Sequence, residues 1–139
     1  MKVFLSYAEL DQGSAQKLAK QLEAAGHRVW DPERDLLAGS DWASALMKQL
    51  KSADAMVVLL SPDSVESRWV SHEIEYALGA ERLRDRLIPV LVRPTRKIPW
   101  ILRELHMVRL ADNPEGVAQE ILERLDRSQN ASQTSTQKA

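Results

Sequence analysis

Glu73 stands four residues after Trp69 in the stretch Ser67-Arg68-Trp69-Val70-Ser71-His72-Glu73-Ile74. At about 100° per residue, that spacing puts the carboxylate and the indole on one side of a helix. Taken alone, local pairing of Glu73 and edge packing of Trp69 account for the arrangement; a functional carboxylate is the alternative. Other chemistries are excluded more easily. The chain has no cysteine, so a thiolate nucleophile, a disulfide framework and a Cys-based zinc site are ruled out. His27, His72 and His106 lie far apart and on different elements, which makes them a poor metal set. Neither Gly-x-Gly-x-x-Gly nor Gly-x-x-x-x-Gly-Lys occurs, so both phosphate-cradling fingerprints are absent.

The elements that must position Glu73 follow from the apolar pattern. Lys2 to Tyr7 is rich in β-formers, and Ala15, Leu18, Ala19, Leu22 and Ala25 then recur at helical spacing, with Gly26 as the stop. His27 to Trp30 is a second strand, ended by Asp31-Pro32, and residues 31–39 read as a charged loop. Ser40 or Asp41 caps a helix carrying Trp42, Ala45, Leu46, Gln49 and Leu50 on one face. Ala55 to Leu60 is apolar without alternation, as expected of a strand covered on both sides.

A third helix is predicted from about Glu66 to Leu78, with Val70, Ile74, Ala77 and Leu78 facing the core. Glu73 falls on one shoulder of that stripe with Trp69, and Glu75 on the other. Leu87 to Val92 is a further apolar strand whose Pro89 predicts a place near the sheet edge or a bulge. A basic loop from Arg93 to Trp100, a helical turn and a fifth strand, His106 to Leu110, follow. Asn113-Pro114 opens a last helix with Val117, Ile121, Leu122 and Leu125 buried.

Alternating strands and helices imply an α/β, flavodoxin-like three-layer fold. Its five-stranded parallel sheet takes the order 2-1-3-4-5, with helices on both faces. One domain is expected over residues 1–127, followed by a polar tail, 128–139, with nothing to bury and no expected order. Ligands in such sheets bind beyond the carboxyl ends of the strands, here Ser6-Tyr7, Asp31, Ser61 and Arg93. A phospho-accepting receiver would need an aspartate ending the third strand, where this chain has Leu60-Ser61-Pro62.

The balance of charges excludes further classes. With 20 acidic and 19 basic residues among 139, the formal charge is −1, so no nucleic-acid partner is expected. The run from Ala55 to Leu60 is far short of the roughly 20 residues of a membrane span. Lys2 leads straight into a strand rather than into a signal peptide. A cytoplasmic location without membrane contact is the expectation.

Four segments, in order and spacing, resemble the TIR (Toll/interleukin-1 receptor/resistance) domain family over about Lys2 to Leu125: Val3-Phe4-Leu5-Ser6-Tyr7, Asp31 to Gly39 followed by Trp42, Leu59-Leu60-Ser61-Pro62, and Ser67 to Ile74. Many members of that family cleave NAD+ at the nicotinamide–ribose bond, using a glutamate four residues after a tryptophan in the third helix. By that match the resemblance assigns catalysis to Glu73, with NAD+ as substrate and no cofactor or metal. The motifs are most similar to those of bacterial NAD+-cleaving members, and the implied role is antiphage defence. The product would be ADP-ribose or a cyclic ADP-ribose isomer that a downstream effector senses; no residue decides between them. The chemistry fits a carboxylate, because the ribose passes through an oxocarbenium-like state that a negative charge stabilises.

The resemblance also implies substrate contacts. Tyr7 lines the pocket or is a rim tyrosine; Ser6 contacts substrate or bonds to backbone at the strand end; Trp69 flanks the glutamate. Trp100 stacks on a base or covers the sheet edge, and Arg34 meets a phosphate or is a solvated loop charge. Self-association is expected through the loop from about Asp31 to Gly39, the family's BB loop, with Leu36 and Leu37 as a docking knob or as packing onto the next helix. Ala8-Glu9 departs from the basic residues common after the first strand, which removes a phosphate contact there. A non-catalytic TIR interaction module, including a mimic that interferes with host signalling, is the alternative. A deoxyribosyltransferase-type enzyme using the same glutamate is the third reading.

Overall fold

The structure is a computed structural model that describes residues 1–36, 41–113 and 115–138, with side chains described as far as Gln129. Five strands, β1 (Lys2–Ser6), β2 (Arg28–Trp30), β3 (Ala55–Leu60), β4 (Leu87–Leu91) and β5 (Val108–Arg109), form one sheet in the order β2-β1-β3-β4-β5. Every pairing is parallel. Register sets Phe4 beside Trp30 on one side and Met56 on the other. The predicted fold and strand order are those observed.

Period-2 alternation along the strands divides the core into two halves. Val3, Leu5, Val57, Leu59 and Val90 pack against α1 (Gln12–Ala24) and α7 (Val117–Lys138). Phe4, Met56, Val58 and Leu60 pack against α3 (Trp42–Ser52), α4 (Arg68–Gly79), α5 (Glu81–Arg84) and α6 (Trp100–Glu104). All six residues of β3 are buried, which is why its sequence shows no polar alternation. Each such Val or Leu contributes about 1.5–3 kcal/mol on burial.

Local signals set most boundaries. Gly26 adopts φ 98°, the left-handed region where a side chain would be strained, and so ends α1. Asp41 rather than Ser40 is the observed cap of α3, with Ser44 Oγ donating to its carboxylate at 2.9 Å. Pro89 costs little. Leu91 offers its carbonyl to Leu110 N on the β5 side, and by alternation the absent N–H of Pro89 faces that side too. β5 pairs only with Val90 and Leu91, so no ladder bond is lost there.

Three segments differ from expectation. The charged loop after β2 contains a short helix, α2 (Pro32–Asp35), because Asp31 accepts from Glu33 N at 3.1 Å and Pro32 sits at the first helical position. The last helix begins at Val117 rather than at Asn113-Pro114; Pro114 lies outside the described residues. The tail expected to lack order continues α7 as far as Lys138, there being no Gly or Pro from Val117 onward to stop a helix.

Candidate active site

α4 starts at Ser67, whose hydroxyl accepts from Val70 N at 3.3 Å. From that cap, Val70, Glu73, Ile74 and Ala77 form the buried stripe. Glu73 thus lies within the stripe rather than on its shoulder, with only 4% of its surface exposed. Leu78 is the residue that moves outward, to a half-buried place. A helix turn of 100° leaves Glu73 close enough to the stripe's centre for either outcome; the sheet edge it meets decides.

At that edge stands Ser6, which alternation sends to the same face as Phe4. Ser6 is fully buried, and its Oγ has no hydrogen-bond partner, nor does Glu73 Oε2. The expected bond from Ser6 to the strand-end backbone is therefore not made. Burial pushes the Glu73 carboxyl up to about 8. The nearby Ser6 hydroxyl offsets part of that rise, although it closes no hydrogen bond of good geometry with the carboxyl.

Tyr7 points the other way. It is 8% exposed, packs in the half of the core under α1 and α7, and donates its hydroxyl to Asp31 Oδ1. It is thus neither a rim residue nor an open pocket wall. Burial, and then the Asp31 carboxylate, raise its pKa. Asp31 is a site-edge residue that sequence reasoning noted only as a strand end. It is 1% exposed, caps α2, and leaves Oδ2 without a partner. Its signal was positional: an acid at the carboxyl end of a strand, before a proline.

The three buried side-chain atoms without partners among the described residues are Ser6 Oγ, Asp31 Oδ2 and Glu73 Oε2. Two sit at the carboxyl ends of β1 and β2, and the third faces the same edge from α4. Each such atom costs about 1–3 kcal/mol. A ligand offering hydroxyl donors or positive charge would recover that cost.

The remaining predicted residues are not gathered there. Trp69 is 43% exposed and makes its ring contacts with Trp42, edge-on at 4.0 Å, and with His72 at 6.5 Å. Trp100, at the start of α6, is 72% exposed, so it does not cover the sheet edge. Arg34 bonds Glu23 at 2.7 Å, Asp35 at 2.9 Å and the Val29 carbonyl at 2.7 Å, pinning α2 to α1 and β2. Its guanidinium stays exposed to solvent but is engaged by these partners within the chain. Of the BB loop, Leu36 is half-buried, and Leu37 to Ser40 lie outside the described residues.

A second polar cluster also escaped sequence reasoning. Asp11, 5% exposed, accepts from Ser61 Oγ at 2.5 Å and from Arg93 Nε at 3.2 Å, while Arg93 Nη2 meets Asp63 at 2.6 Å. It ties the loops after β1, β3 and β4 together beside the site. Ser61 and Arg93 had been marked as strand ends, but nothing in the sequence pairs them with Asp11. Among the described residues, no three His, Asp or Glu side chains converge as a metal site, and no helix is long and apolar enough to cross a membrane.

The stimulator of interferon genes protein of Magallana gigas is 27% identical over an alignment of 115 residues that covers 79% of this chain; the chain spans only 28% of that relative's length. The TIR domain of the Toll-related receptor TRR-2 from Hydra magnipapillata superposes with a TM-score of 0.74 at 24% identity, covering 90% of this chain and 94% of that one. The Clostridium botulinum CMP N-glycosidase BcmB shares the fold at a TM-score of 0.62 and 20% identity, covering 88% of this chain and 99% of that one. Residues 3–125 match the TIR domain family, and the strand order is the one expected of its fold. The chain belongs to the TIR domain family.

Proposed function

We propose that the protein cleaves the nicotinamide–ribose bond of NAD+, with Glu73 as the catalytic carboxylate. The observation that carries this reading is a glutamate 4% exposed, facing the carboxyl edge of the sheet beside a serine hydroxyl, the carboxyl without a cationic partner and the hydroxyl without any among the described residues. A protein does not keep a bare buried carboxyl for stability. The nicotinamide leaves as a neutral molecule with the bonding pair, and the ribose carbon becomes electron-poor. An ionised Glu73 orients the ribose hydroxyls and stabilises that charge.

Attack by water then gives ADP-ribose, nicotinamide and a proton; attack by the adenine of the same molecule gives a cyclic isomer. Glu73 rests largely protonated at neutral pH, and the cationic pyridinium favours its ionisation when NAD+ enters. Ser6 supplies a hydroxyl beside the carboxylate. Asp31, with one oxygen free, borders the same edge and is held in place by Tyr7. Exposed Trp100 is available to stack on a base once a second copy docks through the BB loop, and Trp69 shields the outer side of α4. That the bond broken by BcmB, a CMP N-glycosidase, is also N-glycosidic supports this chemistry on this fold. A cytoplasmic antiphage role, with an effector reading the product, completes the proposal.

The exposed pair of Trp42 and Trp69 favours a second reading, a non-catalytic TIR interaction module. One assay separates the two. Concentrated protein incubated with NAD+ releases nicotinamide, and Glu73→Gln abolishes the release. No release under crowding, with the wild type folded, leaves the interaction module.

A further inference from the structure

The opposite, amino-terminal edge of the sheet carries an open cleft of about 790 Å³, bounded by the end of α5, the start of β4, the approach to β5 and the outer face of α7. Its walls hold Arg84, Arg86, Arg124 and Arg127 against Asp85 and Glu120. In a chain whose formal charge is −1, this is a local excess of positive charge. Two of the guanidiniums are pre-oriented. Arg86 Nε donates to Ser128 Oγ at 3.2 Å, while Arg124 donates to the His106 carbonyl and to Glu120 at 3.2 Å. The other two are arms at the rim: Arg84 and Arg127 are exposed, and the Arg84 side chain has no partner among the described residues. Leu87, Ile88 and Leu125, each at most 5% exposed, close the floor of the cleft.

We propose that this cleft binds a phosphate-bearing small molecule of nucleotide size, its phosphates against the arginines. The volume lies in the usual range for such ligands, about 300–1,000 Å³. Arginine forks match phosphate oxygens two at a time, and oriented forks lose less entropy on binding than free ones. Asp85 and Glu120 oppose an extended polyanion, which argues for a small ligand rather than a nucleic acid. The cleft is separated from Glu73 by the length of the sheet, about 17 Å for a five-residue strand. The inference is therefore independent of the proposed reaction.

Amide NMR titrations of the full chain, carrying Glu73→Gln so that no ligand is turned over, test it with ADP, inorganic pyrophosphate and adenosine in separate arms. ADP and pyrophosphate are expected to give saturable shifts in residues 84–88 and 124–128, and adenosine none. Arg84→Gln with Arg127→Gln is expected to weaken ADP binding at least about tenfold. The charge-keeping pair Arg84→Lys with Arg127→Lys loses the fork but keeps the charge and is expected to weaken binding less than the Gln pair, which separates lost charge from lost folding. Three results would overturn the proposal: shifts confined to the Ser6–Glu73 edge, no saturation below about 10 mM, or equal affinity in the Gln variants.

Discussion

Asp11 and Glu73 are buried almost equally, 5% and 4% exposed, at the same end of the sheet, and the fold treats them in opposite ways. Asp11 has a serine hydroxyl on one oxygen and an arginine on the other. Among the described residues Glu73 has no cation, and one of its oxygens has no partner. The first arrangement is how a chain uses a buried acid to hold loops together. The second stores an unmet electrostatic demand in the interior, which is useful only when something else meets it. Burial alone does not mark a functional acid; burial without compensation does.

The sharpest way to break that contrast is kinetic. Glu73→Gln keeps shape and loses charge, and nicotinamide release should fall by about 10³-fold, the scale of removing one group that stabilises transition-state charge. Asp11→Asn should instead act on the fold. With Arg93 half exposed, the loss should be about 2 kcal/mol in chemical denaturation, below the figure for a fully buried pair. If Asp11→Asn abolished release while leaving stability unchanged, the assigned roles would be reversed.

A smaller effect comes from pH. Glu73 holds its proton to about 8 when folded, against an ordinary value of 4.5. Between those values the folded state binds more protons than the unfolded one, so stability is greatest below the lower value and falls as pH rises through the upper. Urea unfolding of Glu73→Gln should lack that decline and exceed the wild type at pH 8–9 by about 1–3 kcal/mol. Smallest is Tyr7→Phe. It keeps the ring packing but strips Asp31 of one donor, at a cost of about 1 kcal/mol by thermal denaturation. Asp31, satisfied on one oxygen and bare on the other, is the intermediate case between the two acids.

Much of the frame was legible in the residues. Ala55 to Leu60 announced a strand covered on both faces, Gly26 a helix end, and the alternation of elements the sheet order. α2 was not legible, because four charged or proline-bearing residues have no apolar period; its cap at Asp31 makes it. At the site, the spacing of Glu73 from Trp69 left local pairing as an equal reading, and the family resemblance assigned Glu73 its role. Trp69 turns its ring to Trp42, and the burial of Glu73 comes from α4 meeting β1. The Asp11–Ser61–Arg93 cluster joins residues 50 and 82 positions apart, which no local pattern encodes. Arg34 read as a loop charge because Glu23 and the Val29 carbonyl reach it only once α1 and β2 are packed.

The pH dependence of kcat/KM for nicotinamide release from NAD+ tests the central claim most directly, since it reads the ionisation of the free enzyme's essential group. The account predicts a rise of about tenfold per pH unit below the Glu73 value, a plateau above about 8, and release from Glu73→Gln about 10³-fold below that plateau. A profile flat from pH 6 to 9, or release from Glu73→Gln close to the wild-type plateau, would contradict it.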